Sequence, residues 1–338
     1  MGERALITGI GGQDAYYLSK LLHARGYQVV GTTRPLSEDR GGAYSAGIDH
    51  IDIEHWDLVD QTRFADIIGQ YQPSLIFNLA AFSSGEDMNS RPVELATVNG
   101  LIVLSMLETL RELCPTTRFV QASSSEVFGA AVESPQTEVS AKNPRSVYGV
   151  SKLFADGVIK LYRERYGIFC ASAILYNHES PHRAAHFVTR KITQTVAAIF
   201  MGRQQKLILG NLSARRDWGH SRDYVEGMLQ IGLAQVPDDY VLATGVVHTI
   251  REFVDRAFEC VGINLDWSGQ GVSEVGTCRR TGKVRVAVSP DYFRPDEIAI
   301  LVGDASKARE NIGWLPKEDM VSLIKEMVDC DIRILKRR

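Results

Sequence analysis

Short β-rich apolar runs alternate with amphipathic helical patterns through the first half of this 338-residue chain. The predicted strands are Ala5–Thr8, Val29–Thr33, Leu75–Leu79, Arg118–Gln121 and Cys170–Leu175. Helical patterns lie between them, among them Tyr16–Arg25, Thr62–Tyr71 and Ala96–Leu113. Because strands that alternate with helices form parallel βαβ units, the pattern predicts an α/β fold with a doubly wound parallel sheet.

The pattern becomes mixed near residue 176, where Gly, Pro and charged loops separate the predicted helices Phe187–Met201, Tyr224–Gln235, Thr249–Val261 and Glu318–Leu335. We therefore expect a Rossmann domain over residues 1–175, to which later segments return. A smaller mixed α/β region over residues 176–338 is expected to bind mainly the substrate.

Composition excludes several classes of protein. The net charge is −3, so no overall field attracts nucleic acid or an anionic membrane. Five scattered cysteines without a CxxC pair are typical of thiols in a reducing compartment. The first apolar segment follows Met1–Arg4 without a signal-type region, and no run reaches 18 apolar residues, so we expect a cytoplasmic protein.

A glycine-rich turn joins the first strand to its helix and contains Gly9, Gly12, Gln13 and Asp14. Backbone amides at a helix N-terminus can hold a pyrophosphate, and the small Ala15 permits close packing of helix on strand. An ordinary tight turn is the alternative, but the position directly after the first strand favours a dinucleotide site.

Arg34 follows the second strand, where NAD-binding folds carry Asp or Glu for the ribose 2′-hydroxyl. A guanidinium there suits a 2′-phosphate and predicts NADP, with a solvated surface arginine as the alternative. Beside the adenine and ribose we expect Asp57, Leu58, Leu79, Ala80 and Ala81.

Tyr148 and Lys152 are four residues apart in a helical pattern that begins after Pro144 and ends at Gly167. They share one helix face. A nearby ammonium and a nicotinamide cation would favour phenolate, which makes Tyr148 a candidate base for a sugar hydroxyl. The YxxxK spacing alone is also common on solvated helices.

Ser124 and Glu126 follow the predicted strand Arg118–Gln121, at the edge where open α/β sheets bind ligands. The serine hydroxyl can hydrogen-bond a reacting oxygen, and a partly desolvated Glu126 could remove a proton from carbon beside a carbonyl. A loop or cap carboxylate is the alternative for Glu126. Together with Tyr148 and Lys152, these residues predict proton and hydride transfer.

The segment His178-Glu179-Ser180-Pro181-His182 matches the HExxH pattern of zinc proteases. That motif needs both histidines on one helical turn, which Pro181 excludes. We therefore expect no metal site here.

At these residues the chain resembles the extended short-chain dehydrogenases, and nearly end to end it is most similar to the GDP-mannose 4,6-dehydratase family. The likeness also rests on Asn177-His178-Glu179-Ser180-Pro181, Phe187-Val188-Thr189-Arg190-Lys191, Arg216-Asp217-Trp218-Gly219-His220, Tyr240–Gly245, Tyr292-Phe293-Arg294-Pro295-Asp296-Glu297 and Gly313-Trp314.

The resemblance implies an NADP-dependent hydro-lyase of deoxysugar biosynthesis that converts GDP-mannose or a related GDP-sugar to its 4-keto-6-deoxy product. It implies that Tyr148 deprotonates the C4 hydroxyl and Glu126 the C5 carbon, with Ser124 and Lys152 beside them. The implied cofactor contacts include Ser83, His178 and Arg183, and the implied substrate contacts are Ser84, Glu126, Asn177, Val188, Lys191, Arg216, Arg294 and Glu297.

The chain also departs from the family. Ser124 replaces the usual Thr, Glu94 replaces a cofactor-contacting Tyr, and Glu86 and Asp87 bring acidity to the expected sugar pocket. A modified hexose or a heptose on GDP therefore stays open as the substrate.

Other functions remain open alternatives. An NDP-sugar epimerase or an NADPH-dependent 4-ketosugar reductase would share Tyr148 and Lys152, and a non-catalytic cofactor-binding protein is the remote alternative. Relatives assemble through helices beside the active site, so the resemblance implies a homodimer or homotetramer formed by the patterns Ala96–Leu113 and Pro144–Gly167.

Overall fold

The computed structural model describes residues 2–34, 51–82, 90–294 and 300–337. Its strands are β1 Arg4–Thr8, β2 Gln28–Thr33, β3 Ile51–His55, β4 Leu75–Asn78, β5 Arg118–Ala122, β6 Cys170–Leu175, β7 Asn177–Glu179, β8 Leu207–Leu209, β9 Arg215–His220, β10 Tyr240–Leu242, β11 Val247–Thr249, β12 Leu265–Ser268, β13 Val275–Cys278 and β14 Val284–Val288. Its helices are α1 Gln13–Ala24, α2 Gln61–Tyr71, α3 Pro92–Ala96, α4 Ile102–Leu113, α5 Val147–Tyr166, α6 Val188–Phe200, α7 Ser221–Leu233, α8 Ile250–Glu259, α9 Ser306–Ile312 and α10 Met320–Arg337.

The main sheet has the strand order β3-β2-β1-β4-β5-β6-β10, and all neighbouring strands are parallel. Helices α1 and α7 pack on one face through Leu18, Leu22 and Met228. Helices α2, α4 and α5 pack on the other face through Ile67, Met106 and Ile159. The predicted doubly wound parallel sheet is thus confirmed.

Two smaller sheets lie in the second half of the chain, in the orders β11-β9-β7 and β12-β13-β14-β8, and both contain parallel and antiparallel pairs. Helices α6, α8 and α10 enclose a second core with Val196, Phe253 and Met327. The predicted smaller mixed region is confirmed. Strand β10 belongs to the main sheet although it lies beyond residue 175, and the boundary at that residue stays a prediction.

The predicted strands and long helices match the observed ones within a few residues, whereas the short strands β3 and β7 to β14 and the short helices α3 and α9 were given no predicted bounds. Such short elements show little periodicity of their own, and the five strands that were predicted stood out because they alternate with long amphipathic helices. The predicted helix Ala96–Leu113 is interrupted by a π-helical turn, Thr97–Leu101, before α4.

One continuous helical stretch within the described ranges, Pro92–Leu113, is long and apolar enough by composition to cross a membrane, and half of its apolar window is buried inside the protein. Its residues Val103, Met106 and Leu110 belong to the core beneath the main sheet.

Helix α5 starts where the sequence places a cap. The Ser146 hydroxyl accepts a hydrogen bond from the Gly149 amide at 3.0 Å, and Gly167 ends the helix with a positive φ of 66°. This fixes Tyr148 and Lys152 in its first turns. His178 and Glu179 lie in β7 and His182 in the turn that follows, so the HExxH segment is not helical.

Candidate active site

A cavity of about 510 Å³ opens at the carboxyl ends of β1, β2 and β4, and we call it the first groove. Of the predicted cofactor-binding residues, it is lined by Gly9, Gly12, Gln13, Asp14, Arg34, Asp57, Leu58, Leu79, Ala80, Ala81 and Arg183. The edge of the sheet that topology assigns to ligands is therefore where these residues meet.

The glycine-rich turn forms the floor of the first groove. Gly9 has a positive φ of 72°, and a Cβ on it would lie 2.9 Å from the Ala80 Cα, so only glycine fits there. Gly12 is the N-cap of α1 and offers no side chain to the first helical amides. Those amides face the groove and provide a site for a phosphate.

The side chain of Gln13 points away from this phosphate site. Its amide nitrogen donates to the His178 carbonyl at 2.8 Å, and its oxygen accepts from the Ser180 hydroxyl at 2.9 Å. Gln13 thus ties α1 to the chain after β7 and leaves its backbone amide for a ligand.

Arg34 lies at the mouth of the first groove, directly after β2, and its side chain is exposed. Its guanidinium lies 5.5 Å from the centre of the Phe82 ring. Phe82 is fixed in turn by Asn99, whose side chain accepts from the Phe82 amide and donates to its carbonyl, both at 2.9 Å. Arg34 therefore lies beside a ring whose backbone is held in place, and its exposed guanidinium can contact an anion bound in the first groove.

Glu94, the residue that departs from the family, also lines the first groove. It forms an ion pair with Arg91 at 3.0 Å, and both side chains are about half exposed. Arg91 is the N-cap residue of α3, so the negative charge of Glu94 is balanced by a positive charge at the start of its own helix.

A second cavity of about 760 Å³ adjoins the first, and we call it the second groove. Both grooves are lined by Asp14, Leu79, Ala81, Arg183, His186 and Phe187. A ligand in the first groove can therefore contact one in the second.

The four predicted catalytic residues meet in the second groove. Ser124 and Glu126 follow β5, and the Ser124 hydroxyl accepts from the Glu126 amide at 3.2 Å. Tyr148 and Lys152 come from α5. The Glu126 side chain is exposed in the groove, so the partial desolvation expected for it is absent.

Burial raises the pKa of the Tyr148 hydroxyl to about 12. A hydrogen bond with Ser124 and the charge of Arg183 lower this pKa, while the charge of Glu126 raises it. The Lys152 Nζ, which the sequence predicts to favour the phenolate, lies 5.7 Å from the Tyr148 ring centre and donates to the Ala122 carbonyl at 2.7 Å. Burial lowers the pKa of Lys152 itself to about 8.

A buried ion pair marks the junction of the two grooves. The His178 Nε2 lies 3.0 Å from an Asp14 carboxylate oxygen, and the His178 Nδ1 lies 2.7 Å from the Tyr176 carbonyl oxygen. Burial alone would raise the pKa of Asp14, but His178 and Arg183 lower it. Burial alone would lower the pKa of His178, but Asp14 raises it. These shifts favour an Asp14 carboxylate paired with a protonated His178 inside the fold.

Arg183 extends this junction. Its Nε lies 3.2 Å from a Glu179 carboxylate oxygen, and its guanidinium lies 3.4 Å from the centre of the Phe187 ring. The arginine is therefore held over the passage between the grooves.

The far end of the second groove carries positive charge. Its lining includes the predicted substrate contacts Asn177, Val188, Lys191, Arg216 and Arg294. The Lys191 Nζ lies 4.3 Å from the centre of the Tyr292 ring, and burial lowers the pKa of this lysine. Cations gathered in one cleft suit a diphosphate.

Some predicted residues lie outside the described residues: Ser83, Ser84 and Glu297, together with Glu86 and Asp87.

Sequence reasoning missed part of the second groove, namely Ser146, His186, Gly210, Asn211 and Tyr292 as lining residues. A Cβ on Gly210 would lie 2.2 Å from the Tyr292 carbonyl oxygen, so two distant loops touch there. The N-cap signal of Ser146 was readable from the sequence. The contact between the loops was not, because 82 residues separate Gly210 from Tyr292.

The family described as GDP-mannose 4,6 dehydratase matches residues 6–327. The GDP-mannose 4,6-dehydratase of Sinorhizobium fredii is 44% identical, with 98% of this chain and 97% of that protein covered. The GDP-mannose 4,6 dehydratase of Cricetulus griseus is 41% identical, with 98% and 92% covered.

Among solved structures, the dTDP-glucose 4,6-dehydratase of Bacillus anthracis in complex with NAD superposes with a TM-score of 0.79, at 18% identity over 97% of this chain and 96% of that one. This likeness shows the fold, whereas the full-length relatives show the family. The chain therefore belongs to the GDP-mannose 4,6-dehydratase family of sugar-nucleotide dehydratases.

Proposed function

We propose that this protein converts GDP-mannose, or a closely related GDP-sugar, to the 4-keto-6-deoxy product with NADP as a resident cofactor. The observation that carries the proposal is the meeting of Ser124, Glu126, Tyr148 and Lys152 in one groove that adjoins a dinucleotide-type groove. Family membership supplies the reaction class.

The residues of the first groove fit a nicotinamide dinucleotide. Gly9 permits the tight turn after β1 and its close packing on Ala80, and the α1 N-terminus presents amides to a pyrophosphate. The exposed Arg34 guanidinium at the end of β2 suits a 2′-phosphate and supports NADP over NAD. Held by these residues, the cofactor would supply a reversible hydride acceptor for the sugar.

Tyr148 acts as the base on the C4 hydroxyl. Its pKa of about 12 in the protein alone favours the phenol, so the active form needs a further positive charge nearby. Ser124, which hydrogen-bonds the same hydroxyl, holds the reacting oxygen in line. Lys152 lies close enough to stabilise the phenolate once it forms.

Glu126 acts on the 4-keto intermediate. Its carboxylate takes the C5 proton, which the adjacent carbonyl has acidified, and the resulting acid gives a proton to the departing C6 hydroxyl. Water leaves, Glu126 is again a carboxylate, and the sugar carries a double bond between C5 and C6. When C6 regains the hydride, C5 takes up one proton, which balances the proton that Tyr148 took from the C4 hydroxyl. Its exposure in the groove lets it reach both positions.

Lys191, Arg216 and Arg294 hold the diphosphate of the nucleotide, with Asn177 and Val188 beside it. These charges orient the sugar so that its C4 faces Tyr148. Of the remaining assigned contacts, Ser83 is proposed for the cofactor and Ser84 and Glu297 for the substrate.

A panel of GDP-sugars, each incubated with the enzyme and followed by mass spectrometry, tests the proposal. We expect loss of one water from GDP-mannose or a related sugar, without net consumption of cofactor. Steady NADPH consumption would indicate a 4-ketosugar reductase, and an isomer of unchanged mass an epimerase. Binding without turnover over the whole panel would indicate a non-catalytic protein.

We also propose that two copies of the chain pair through α4 and α5. The apolar side chains Val150, Phe154 and Leu161 of α5 are exposed, and Phe154 lies close to Gly100 in the neighbouring helical stretch, where Leu101 is exposed as well. Burying such a face against its own copy removes it from water. Light scattering on the purified protein distinguishes monomer, dimer and tetramer.

A further inference from the structure

Asp156 is a buried carboxylate behind the active site, with 9% of its surface exposed. It lies on α5 four residues after Lys152 and eight after Tyr148, so the three residues share one face of the helix. Neither the sequence motifs nor the reaction described above assigns it a role.

Two hydrogen bonds join this face of α5 to the end of β5. The Lys152 Nζ donates to the Ala122 carbonyl at 2.7 Å, and the Ser123 hydroxyl donates to Asp156 Oδ2 at 2.7 Å. Residues 122 and 123 are thus each fixed to the helix that carries Tyr148. The next residue is Ser124, whose hydroxyl must stay beside that tyrosine.

The charged groups around Asp156 come from several elements. Lys152 stands on the same helix, Lys142 in the loop before it, and Asp239 directly before β10. Burial raises the pKa of Asp156 to about 6, and Asp239 adds to the rise, whereas the hydrogen bond from Ser123 and the charge of Lys152 oppose it. Near neutral pH the carboxylate is therefore mostly ionised.

Lys152 depends on this charge. Burial lowers its pKa to about 8, and the Asp156 carboxylate opposes that fall. An ammonium with a pKa of about 8 begins to lose its proton just above neutral pH. A fixed negative charge one helical turn away keeps it protonated.

We propose that Asp156 is a positioning residue of the reaction, which keeps Lys152 charged beside Tyr148 and holds the Ser123–Ser124 backbone against α5. The proposal rests on the proposed dehydratase chemistry, in which Lys152 stabilises the Tyr148 phenolate.

The variant Asp156→Asn tests it, because the amide oxygen can still accept from Ser123 while the charge is gone. We expect the pKa of Lys152 to fall by about one unit. NMR titration of labelled lysine side chains measures this directly, and the Lys152 signal is the one missing in Lys152→Met. The alkaline limb of kcat against pH on GDP-mannose should move to lower pH by the same amount.

Asp255→Asn is the matched control. Asp255 is a half-buried carboxylate that accepts from the Trp267 Nε1 at 2.9 Å, far along the chain from the site, and burial raises its pKa as well. The control should leave the Lys152 signal and the pH profile unchanged.

If Asp156→Asn does not fold, Ser123→Ala replaces it. Losing that hydrogen bond raises the pKa of Asp156 and reduces its charge, so the Lys152 shift should have the same sign and be smaller. An unchanged pKa of Lys152 overturns the proposal, even if the melting temperature falls, since that result describes a purely structural carboxylate. Inactivity of the wild-type protein on every GDP-sugar overturns the proposed function alone, because the NMR shift is measured without turnover.

Discussion

The two grooves of this protein are built from the chain in different ways. The first groove takes most of its lining from consecutive turns at the ends of β1, β2, β3 and β4. Apart from the shared Asp14, Leu79 and Ala81, the second groove collects segments between residues 122 and 294, from both the parallel sheet and the smaller sheets. Sheet topology alone therefore places the first groove, whereas the second depends on how distant segments pack.

The grooves also differ in what holds their side chains. In the first groove the backbone itself forms the binding surface. Gly9 has a positive φ, and no side chain caps the first amides of α1. In the second groove the chemistry depends on side chains whose pKa values the surroundings shift, such as Tyr148 and Lys152. We therefore expect substitutions of residues in the second groove to change the turnover rate, and substitutions of residues in the first groove to change the choice between NADP and NAD.

The largest effect is expected for Tyr148→Phe, which removes only the hydroxyl proposed to take the C4 proton. Turnover of GDP-mannose should fall about a thousandfold, while NADPH binding and the melting temperature stay close to those of the wild type. Tyr166→Phe, at the exposed end of the same helix, should keep full activity. If Tyr148→Phe retained normal kcat, the second groove would not be the reacting centre.

Glu126→Gln should separate the two halves of the reaction. The Gln side chain cannot take the C5 proton, so turnover should fall about a hundredfold and the 4-keto intermediate should accumulate with reduced cofactor. Rapid-scan absorbance of the reduced nicotinamide measures this. Glu133→Gln, in an exposed loop of the same region, is the control. A variant that loses all hydride transfer as well would contradict the assignment of Glu126 to the second step.

The sequence predicted the first groove well and the second only in part. Gly9 and Arg34 could be placed because their positions relative to the strands are set by the βα repeat. Tyr148 and Lys152 could be paired because helical spacing puts them on one face.

What the sequence could not supply is the environment of those side chains. Burial raises the pKa of Tyr148, and the Lys152 ammonium is directed to Ala122 instead of the tyrosine hydroxyl. The contact of Gly210 with Tyr292 and the pairing of His178 with Asp14 join segments far apart in the chain, and spacing rules do not reach that far. Family resemblance supplied the residues of the second groove, but not these contacts.

The variant Arg34→Ala tests whether the first groove selects the cofactor. It should weaken NADPH binding about 10- to 50-fold, because a charge-assisted contact with the 2′-phosphate is lost, and leave NADH binding nearly unchanged. Fluorescence titration of both cofactors measures the change in preference. Arg25→Ala, exposed at the C-cap of α1, controls for the general loss of positive charge. Equal weakening of both cofactors would show that Arg34 does not select NADP.

The smallest effect is expected at the junction of the grooves, where His178 and Asp14 pair. The pKa of His178 is raised in the folded protein, so its contribution to stability is complete below its unfolded value of about 6.5 and is lost as the pH rises through the folded value. The pKa of Asp14 is lowered, so its contribution is present above about 3.9 and is lost as the pH falls through the folded value. The pair should stabilise the fold most between these limits.

His178→Asn should therefore lower the melting temperature by a few degrees at mildly acidic pH and by less at alkaline pH, relative to the wild type. Differential scanning calorimetry across this pH range measures the difference, and His55→Asn, on the exposed edge of β3, should give none that varies with pH in the same way. A difference in melting temperature that is constant with pH would mean that His178 supports the junction by packing on Tyr224, whose ring centre lies 4.7 Å away, and not by its charge. The junction between the two grooves would then be held by packing alone.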